Sequence, residues 1–580
     1  MRSNSSSVPT GTSRREALIA AASLAALPIA GNAAGNSRHQ GGELEASMDG
    51  PDDQAITPAI IAGAERMAGI RFTDSEREMI ARTIGEQIDL FADRVKAGAM
   101  PNDLAPAMVF RALPPDRALD PATSTGNPEM VVGTVGPCPS DPVDVAYASI
   151  GELGTWIRRG DLTSESLTRL YLDRIERLDP TLHCMITVTA ERAIEQARAA
   201  DRALAAGDDR GPLHGIPYGA KDIIDVADVR ATWGATPFKD RIADTTATVI
   251  EKLDARHAVM LGKTAVGALA YGDIWFDAQC RNPWNTEQGS SGSSAGSASG
   301  TSAGLMAFAL GTETYGSIVS PCARCGATGL RPTFGRVSRY GAMSLCWSLD
   351  KIGPITRRVA DTALVLAAID GIDPRDPSSV GVPFACDAER PVTGLRVGWN
   401  PEWFENAGEA GHRILRHLKD SGCTLVEVDL PDLPYSALLV GLYAEAAAAF
   451  ESLTRDDRDD EMVWQSEQAW PNTFRRSWFI PAVEAVQADR VRRQAMQAMA
   501  SIMDSVDAIA VPPFAGDLLL VTNATGHPTL VLPTTADGDT PDGAFTLIGR
   551  LFDEGTLVRL GRSIESSFGS SPLRPPLERG

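Results

Sequence analysis

Basic residues are outnumbered and form no Lys/Arg-rich run: 54 lysines and arginines face 75 acidic residues, for a net charge of −21. That balance argues against a nucleic-acid surface, which needs a basic stripe to displace counterions from phosphates. Histidine is scarce, with seven in the chain and none in a His-Glu-x-x-His pattern, so zinc-protease chemistry has no support. Gly-x-x-x-x-Gly-Lys-Ser/Thr does not occur, which removes the usual nucleotide-phosphate loop. The eight cysteines (138, 184, 280, 322, 325, 346, 386 and 423) follow no disulfide-framework spacing. Cys322 and Cys325 form a Cys-x-x-Cys but lack the second pair that a zinc site needs. Mostly buried, inert thiols are expected. No apolar run reaches eighteen residues, so no membrane span is expected, and no internal repeat is visible.

With 580 residues, 43% of them hydrophobic, the chain can bury one large catalytic core with appendages. Its start reads as a targeting segment. Ser13-Arg14-Arg15 precedes an apolar stretch, Ala17 to Ala30, and then small residues at Gly31-Asn32-Ala33-Ala34. This looks like a twin-arginine export signal over 1–34, which places the mature protein in the periplasm or outside the cell. Residues 35–142 read as a wrapping extension, disordered at first, then helical over about 57–69 and 73–98, then Pro-rich from about 101. A main domain over 143–575 follows, with a helical insertion at about 431–505 that carries Trp464, Trp470 and Trp478.

Within the main domain, strand and helix patterns alternate. Leu167, Leu170, Tyr171, Ile175 and Leu178 share one helical face, and a helix from about 190 ends near Gly207. Short strands are expected at 184–188, into Tyr218, and at 258–262, 395–399, 424–430, 507–511, 529–532 and 544–548. A last helix is expected over 554–566. The fold class implied is α/β: a large mixed, mostly parallel sheet covered by helices on both faces, preceded by the helical extension.

The most informative segment runs from Gly289 to Gly304, sixteen residues of only Gly, Ser, Ala and Thr. A linker would separate polar flanks. This tract instead feeds an apolar run, Leu305 to Leu310, and then a second Gly-Ser turn, Gly311-Thr312-Glu313-Thr314-Tyr315-Gly316-Ser317. Small side chains there let backbone approach backbone, or a substrate approach peptide N–H groups. Gly292-Ser293-Ser294-Ala295-Gly296 also satisfies the Gly-x-Ser-x-Gly nucleophile elbow, but Asn282 to Glu287 before it reads as loop and not as the strand an elbow requires. Ser348-Leu349-Asp350-Lys351 fits Ser-x-x-Lys without the Lys-Thr-Gly that accompanies it in lactam-hydrolysing enzymes.

Gly215-Ile216-Pro217-Tyr218-Gly219-Ala220-Lys221-Asp222 sets a lysine at the end of a short strand, with Ser293 and Ser317 downstream. With Gly211 to Gly215, the block Thr328–Pro354 and Asn523 to Gly549, these segments resemble the amidase signature family. The resemblance implies a triad of lysine, a serine on a cis peptide bond and a nucleophilic serine, which map to Lys221, Ser293 and Ser317. Ser290 and Ser294 compete for the middle position; ungapped counting from Ser317 favours Ser293. It also implies an oxyanion hole from the backbone N–H groups of Thr314, Tyr315, Gly316 and Ser317, and neither metal nor cofactor.

The chemistry is coherent without the resemblance. A serine hydroxyl is a weak nucleophile until a base takes its proton. Lysine serves only if burial lowers its pKa from about 10.4, and a fall of about three units costs roughly 4 kcal/mol of ammonium solvation. Two departures from the family pattern stand out. Tyr315 replaces a glycine at the turn, which narrows the pocket, and Val319 stands where arginine is common, which counts against acidic substrates. Arg324 and Trp347 are candidate substrate-binding residues, and Asp350 reads as a buried hydrogen-bond acceptor. The expected activity is hydrolysis of a small-molecule or peptide amide through an acyl-enzyme on Ser317. Alternatives are an elbow esterase using Ser294 with a distant histidine, for which His527 is the residue to test, the amide-hydrolysing subunit of a tRNA-dependent amidotransferase, and an inactive amide-binding homologue. A homodimer is left open.

Overall fold

In the computed structural model, residues 56–567 are described apart from 97, 116, 118–133, 406 and 536–537, together with 573–578. The expected export signal lies outside the described residues. Among the described residues thirteen strands occur in chain order: β1 (Met185–Val188), β2 (Pro217–Lys221), β3 (Val259–Thr264), β4 (Arg281–Asn282), β5 (Asn285–Gly289), β6 (Phe308–Glu313), β7 (Thr328–Arg331), β8 (Lys351–Thr356), β9 (Arg396–Trp399), β10 (Thr424–Glu427), β11 (Ala508–Val511), β12 (Thr529–Thr535) and β13 (Pro541–Gly549). All but β4 and β5 join one sheet in the order β1-β3-β2-β6-β8-β7-β12-β13-β11-β9-β10.

The sheet is mixed, as expected, but parallel pairing does not dominate it. Parallel contacts join β2 to β3, β2 to β6, β9 to β10 and β9 to β11; the remaining pairs are antiparallel. Hydrophobic periodicity reports which face of a strand is buried and is blind to its direction. β12 and β13 show the consequence, running antiparallel over seven paired positions after a short connection. Every residue of β2, β3, β6, β7, β8 and β11 is buried, so helices must cover both faces at the centre.

The helices form where their sequence cues lie. Ser164–Leu182 buries Leu167, Tyr171, Ile175 and Leu178 on one face, with Leu170 at its edge. Thr163 caps its start by accepting from the Ser166 N–H. Ala190–Ala205 ends ahead of Gly207, which takes the left-handed conformation at φ 82°. In the extension, Pro58–Ala68 and Asp74–Lys96 match the expected helices.

The insertion folds as the helices Leu438–Ala449, Glu451–Arg455, Trp470–Ser477 and Ala482–Ser505. It docks on the segment before the Gly/Ser tract. The Trp470 indole donates to the Leu269 carbonyl at 2.9 Å, and Tyr271 stacks on Trp464 with ring centroids 5.1 Å apart. Trp478 points elsewhere: it is 45% exposed under the Arg455 guanidinium.

Candidate active site

Lys221 ends β2, a strand flanked by β3 and β6 in the middle of the sheet, and its side chain is fully buried. Gly219 makes room for that packing: a Cβ there would lie 2.6 Å from the Met306 sulfur. Lys221 Nζ lies 2.8 Å from Ser293 Oγ, 3.0 Å from Ser294 Oγ, 2.7 Å from Thr312 Oγ1 and 3.3 Å from the Thr312 carbonyl. Burial drives its pKa well below 10.5, opposed by the charges of Asp350 and Glu313. A surface pair with Asp222 does not form. Asp222 turns to Lys263 at 3.2 Å and accepts from the Thr232 N–H at 2.9 Å.

The Gly/Ser tract is a packing device. Its later part is the buried helix Ala295–Ser302. A Cβ on Gly292 would fall 1.9 Å from the Gly272 carbonyl oxygen, and one on Gly296 2.0 Å from that of Cys184, so both positions exclude any larger residue. The Gly292–Ser293 peptide bond is cis, at the position reached by counting back from Ser317. Ser293 is buried, and Lys221 is the hydrogen-bond partner of its hydroxyl.

Ser294, the elbow candidate, is engaged otherwise. Its hydroxyl donates to the Thr312 carbonyl at 3.0 Å and accepts from the Thr312 N–H at 3.1 Å. Among the described residues no histidine hydrogen-bonds to it. His527 instead shares a 2.8 Å bond with Thr525 Oγ1, and burial together with the Arg331 charge lowers its pKa to about 3. The elbow esterase loses its base.

Ser317 sits on the turn after β6, where Gly316 takes φ 82°. The Ser317 carbonyl accepts from the Ser294 N–H at 3.1 Å, and Ser320 Oγ meets Ser291 Oγ at 2.7 Å, so the turn is tied to the serine loop at two points. Glu313 holds the turn from beneath, accepting from the Ile318 and Val319 N–H groups at 2.8 and 2.9 Å. Burial pushes its pKa up, yet Arg331 at 2.5 Å, those amides and Asn523 at 2.9 Å hold it down at about 2. Glu313 thus braces the nucleophile turn as an ionised acceptor. Among the described residues, the backbone N–H groups of Thr314, Tyr315, Gly316 and Ser317 donate to no protein acceptor, and the Ser317 hydroxyl makes no hydrogen bond. Four amides are left for another acceptor.

A narrow pocket lies beside this assembly, lined by Ile223, Ala270, Thr312, Thr314, Met343 and Leu345 among others, with Arg339, Asp350 and Lys351 as its charged members. Asp350 accepts from Thr314 Oγ1 at 2.5 Å and from the Leu345 and Cys346 N–H groups at 2.8 and 3.0 Å, the acceptor role expected of it. Neither Trp347 nor Arg324, the two expected substrate contacts, is among the residues that line this pocket. The Trp347 indole donates to the Asn102 carbonyl at 3.1 Å, and Trp347 does not line the pocket. Arg324 stands in the last turn of the helix Val319–Cys325, and burial pushes up the carboxyl of nearby Asp273, the acceptor of the Ser291 N–H, against the weaker opposing pull of Gln279, that N–H and the Arg324 charge.

Tyr315 is half-buried beside the insertion, and its pKa rises to about 12 through burial and its neighbours Asp517 and Tyr443. Val319 is buried among Ile318, Cys322, Ile355 and Val531. Sequence reasoning missed Thr312, which shares Lys221 with the serines, and the Arg331–Asn523 pair on Glu313. Thr312 precedes Glu313 on a strand, and alternation of side chains was the one cue to its direction.

The family model described as Amidase matches residues 166–531. The A subunit of the glutamyl-tRNA(Gln) amidotransferase of Moorella thermoacetica is 33% identical over 487 residues, spanning 75% of this chain and 99% of that protein. Its counterpart in Chloroflexus aggregans is 34% identical over equal shares. Among solved structures, native peptide amidase from Stenotrophomonas maltophilia aligns with TM-score 0.64 and 27% identity, over 74% of this chain and 98% of that one. The A subunit of the Thermotoga maritima glutamyl-tRNA(Gln) amidotransferase aligns with TM-score 0.61 and 27% identity, over 76% and 99%. On sequence, sheet and site together, the chain belongs to the Amidase family, the amidase signature enzymes, whose chemistry is cleavage of amide C–N bonds.

Proposed function

We propose that this protein hydrolyses a neutral carboxamide through an acyl-enzyme on Ser317, with Lys221 as base and Ser293 as relay. The observation that carries the reading is the buried contact of Lys221 Nζ with Ser293 Oγ at 2.8 Å, beside a turn tied to the same loop. A neutral amine has one lone pair and two N–H groups. The lone pair accepts the Ser293 proton, while Thr312 offers acceptors for the N–H groups. Ser293 Oγ, so relieved, takes the proton of Ser317 as the latter attacks the amide carbon. The tetrahedral oxyanion is stabilised by the free amides of Thr314 to Ser317, each such donor contributing about 3–4 kcal/mol. The proton returns through Ser293 to the leaving amine, and water deacylates Ser317 by the same route.

The identity to amidotransferase subunits favours a second reading, in which the chain releases ammonia for a partner. Val319, buried in apolar contacts, offers no cation for an acidic substrate, and the net charge of −21 suits a tRNA-bound assembly poorly. Ammonia release from a panel of neutral amides by the isolated chain supports the hydrolase, whereas activity confined to glutamine in the presence of partner subunits supports the amidotransferase. We extend the proposal to export of the mature protein, checked by the mass of its N-terminus in a periplasmic fraction.

His527→Ala separates the lysine mechanism from an imidazole one. His527 is buried and neutral at ordinary pH, and among the described residues its ring bonds only to Thr525 Oγ1. Activity is expected to stay within about threefold of the parent, because no proton passes through that ring. A loss of about 10³-fold, read as initial rate on a purified folded variant, would return the role of base to histidine.

A further inference from the structure

We propose that residues 102–112 of the N-terminal extension form a fixed strap that sets the depth of the pocket beside Lys221, with Asn102 as the positioning residue that determines substrate size. The inference rests on the reading of that pocket as the substrate site. The strap lies ahead of the stretch matched by the family, 166–531, yet it reaches into it. The Asn102 side chain pairs with both backbone groups of Ser344, accepting from the N–H at 2.7 Å and donating to the carbonyl at 2.9 Å. It also donates to the Ala449 carbonyl of the helical insertion at 3.3 Å, and its own carbonyl receives the Trp347 indole N–H at 3.1 Å. One residue thus joins extension, insertion and pocket loop.

Eight residues further on, Phe110 lies under the Arg492 guanidinium, 3.5 Å from the ring centroid, and edge-on to Phe334 at 5.0 Å. Arg492 in turn donates to the Ser348 and Ala524 carbonyls, each at 2.6 Å. The strap therefore holds the 343–350 loop at both ends. That loop supplies Met343, Ser344, Leu345 and Asp350 to the pocket wall, and Asp350 fixes Thr314. Its wall combines apolar side chains with Arg339, Asp350 and Lys351, and it is narrow, so the group it admits is compact.

The test is kcat/KM over a series of primary carboxamides from acetamide to phenylacetamide, for the full chain, Asn102→Ala and Trp347→Phe. Ser317 labelling by a fluorophosphonate is followed in parallel. The parent is expected to disfavour the larger amides. Asn102→Ala is expected to raise the large-to-small ratio about tenfold, chiefly through KM, with labelling of Ser317 unchanged. Trp347→Phe keeps an aromatic ring but loses the indole N–H bond, and is expected to shift the ratio the same way by less, which keeps the idea testable if Asn102→Ala does not fold. A uniform loss across the series, or an unchanged ratio with normal labelling, overturns the strap. No labelling of the parent at Ser317 overturns the functional reading and this inference with it.

Discussion

Ser317→Ala is expected to lower kcat for amide hydrolysis by about 10⁴-fold or more, since the acyl-enzyme can no longer form. Stability should hardly change. The Ser317 hydroxyl makes no hydrogen bond among the described residues, and its backbone bond to Ser294 survives the substitution. Removing an unpaired hydroxyl leaves no buried partner unsatisfied, so unfolding free energy should move by less than about 0.5 kcal/mol. Calorimetry and initial rates on one preparation check both halves. Ser294→Ala should behave in the opposite sense: its hydroxyl joins the Thr312 carbonyl, the Thr312 N–H and Lys221, so its loss costs stability.

Lys221→Met is expected to reduce kcat by about 10³-fold or more, because the relay loses its base while binding and the oxyanion amides remain. Its effect on stability has a pH signature. Lysine in the unfolded chain titrates near 10.4, and burial sets the folded value well below that. Between the two values the unfolded state holds a proton that the folded state lacks. Stability of the parent therefore rises with pH across that window, and the penalty is full only below the folded pKa. Methionine fills a similar volume and does not titrate. The variant should lose this slope and be more stable than the parent on the acid side of the window. Urea midpoints from pH 6 to 10 compare the two. A parent with a flat profile would mean a solvated, ordinary lysine.

Much of the site was legible because short-range chemistry constrains it. Lys221 follows an apolar strand pattern, and the Gly292 and Gly296 positions tolerate no Cβ, which is why the tract contains only small residues. Strand direction was not legible, since alternation is the same read either way, and this is why parallel pairing was overestimated. Trp347 and Arg324 were assigned to substrate from type and proximity in sequence. The Asn102 carbonyl that receives the Trp347 indole comes from a distant segment that no local pattern connects. Asn102 was likewise invisible: it stands in a Pro-rich passage without periodicity, and its importance arises from tertiary hydrogen bonds alone. Glu313 follows a local rule, since an acid beside a tight turn has free N–H groups to accept from.

The rate at which a fluorophosphonate labels the parent as a function of pH, with the modified residue located by mass spectrometry, tests the central claim most directly. The lysine relay predicts one modified serine, Ser317, with a rate that climbs through a single ionisation well below 10.4 and collapses in Lys221→Met and Ser293→Ala. Modification at Ser294, or an undiminished rate at Ser317 in Lys221→Met, would contradict it.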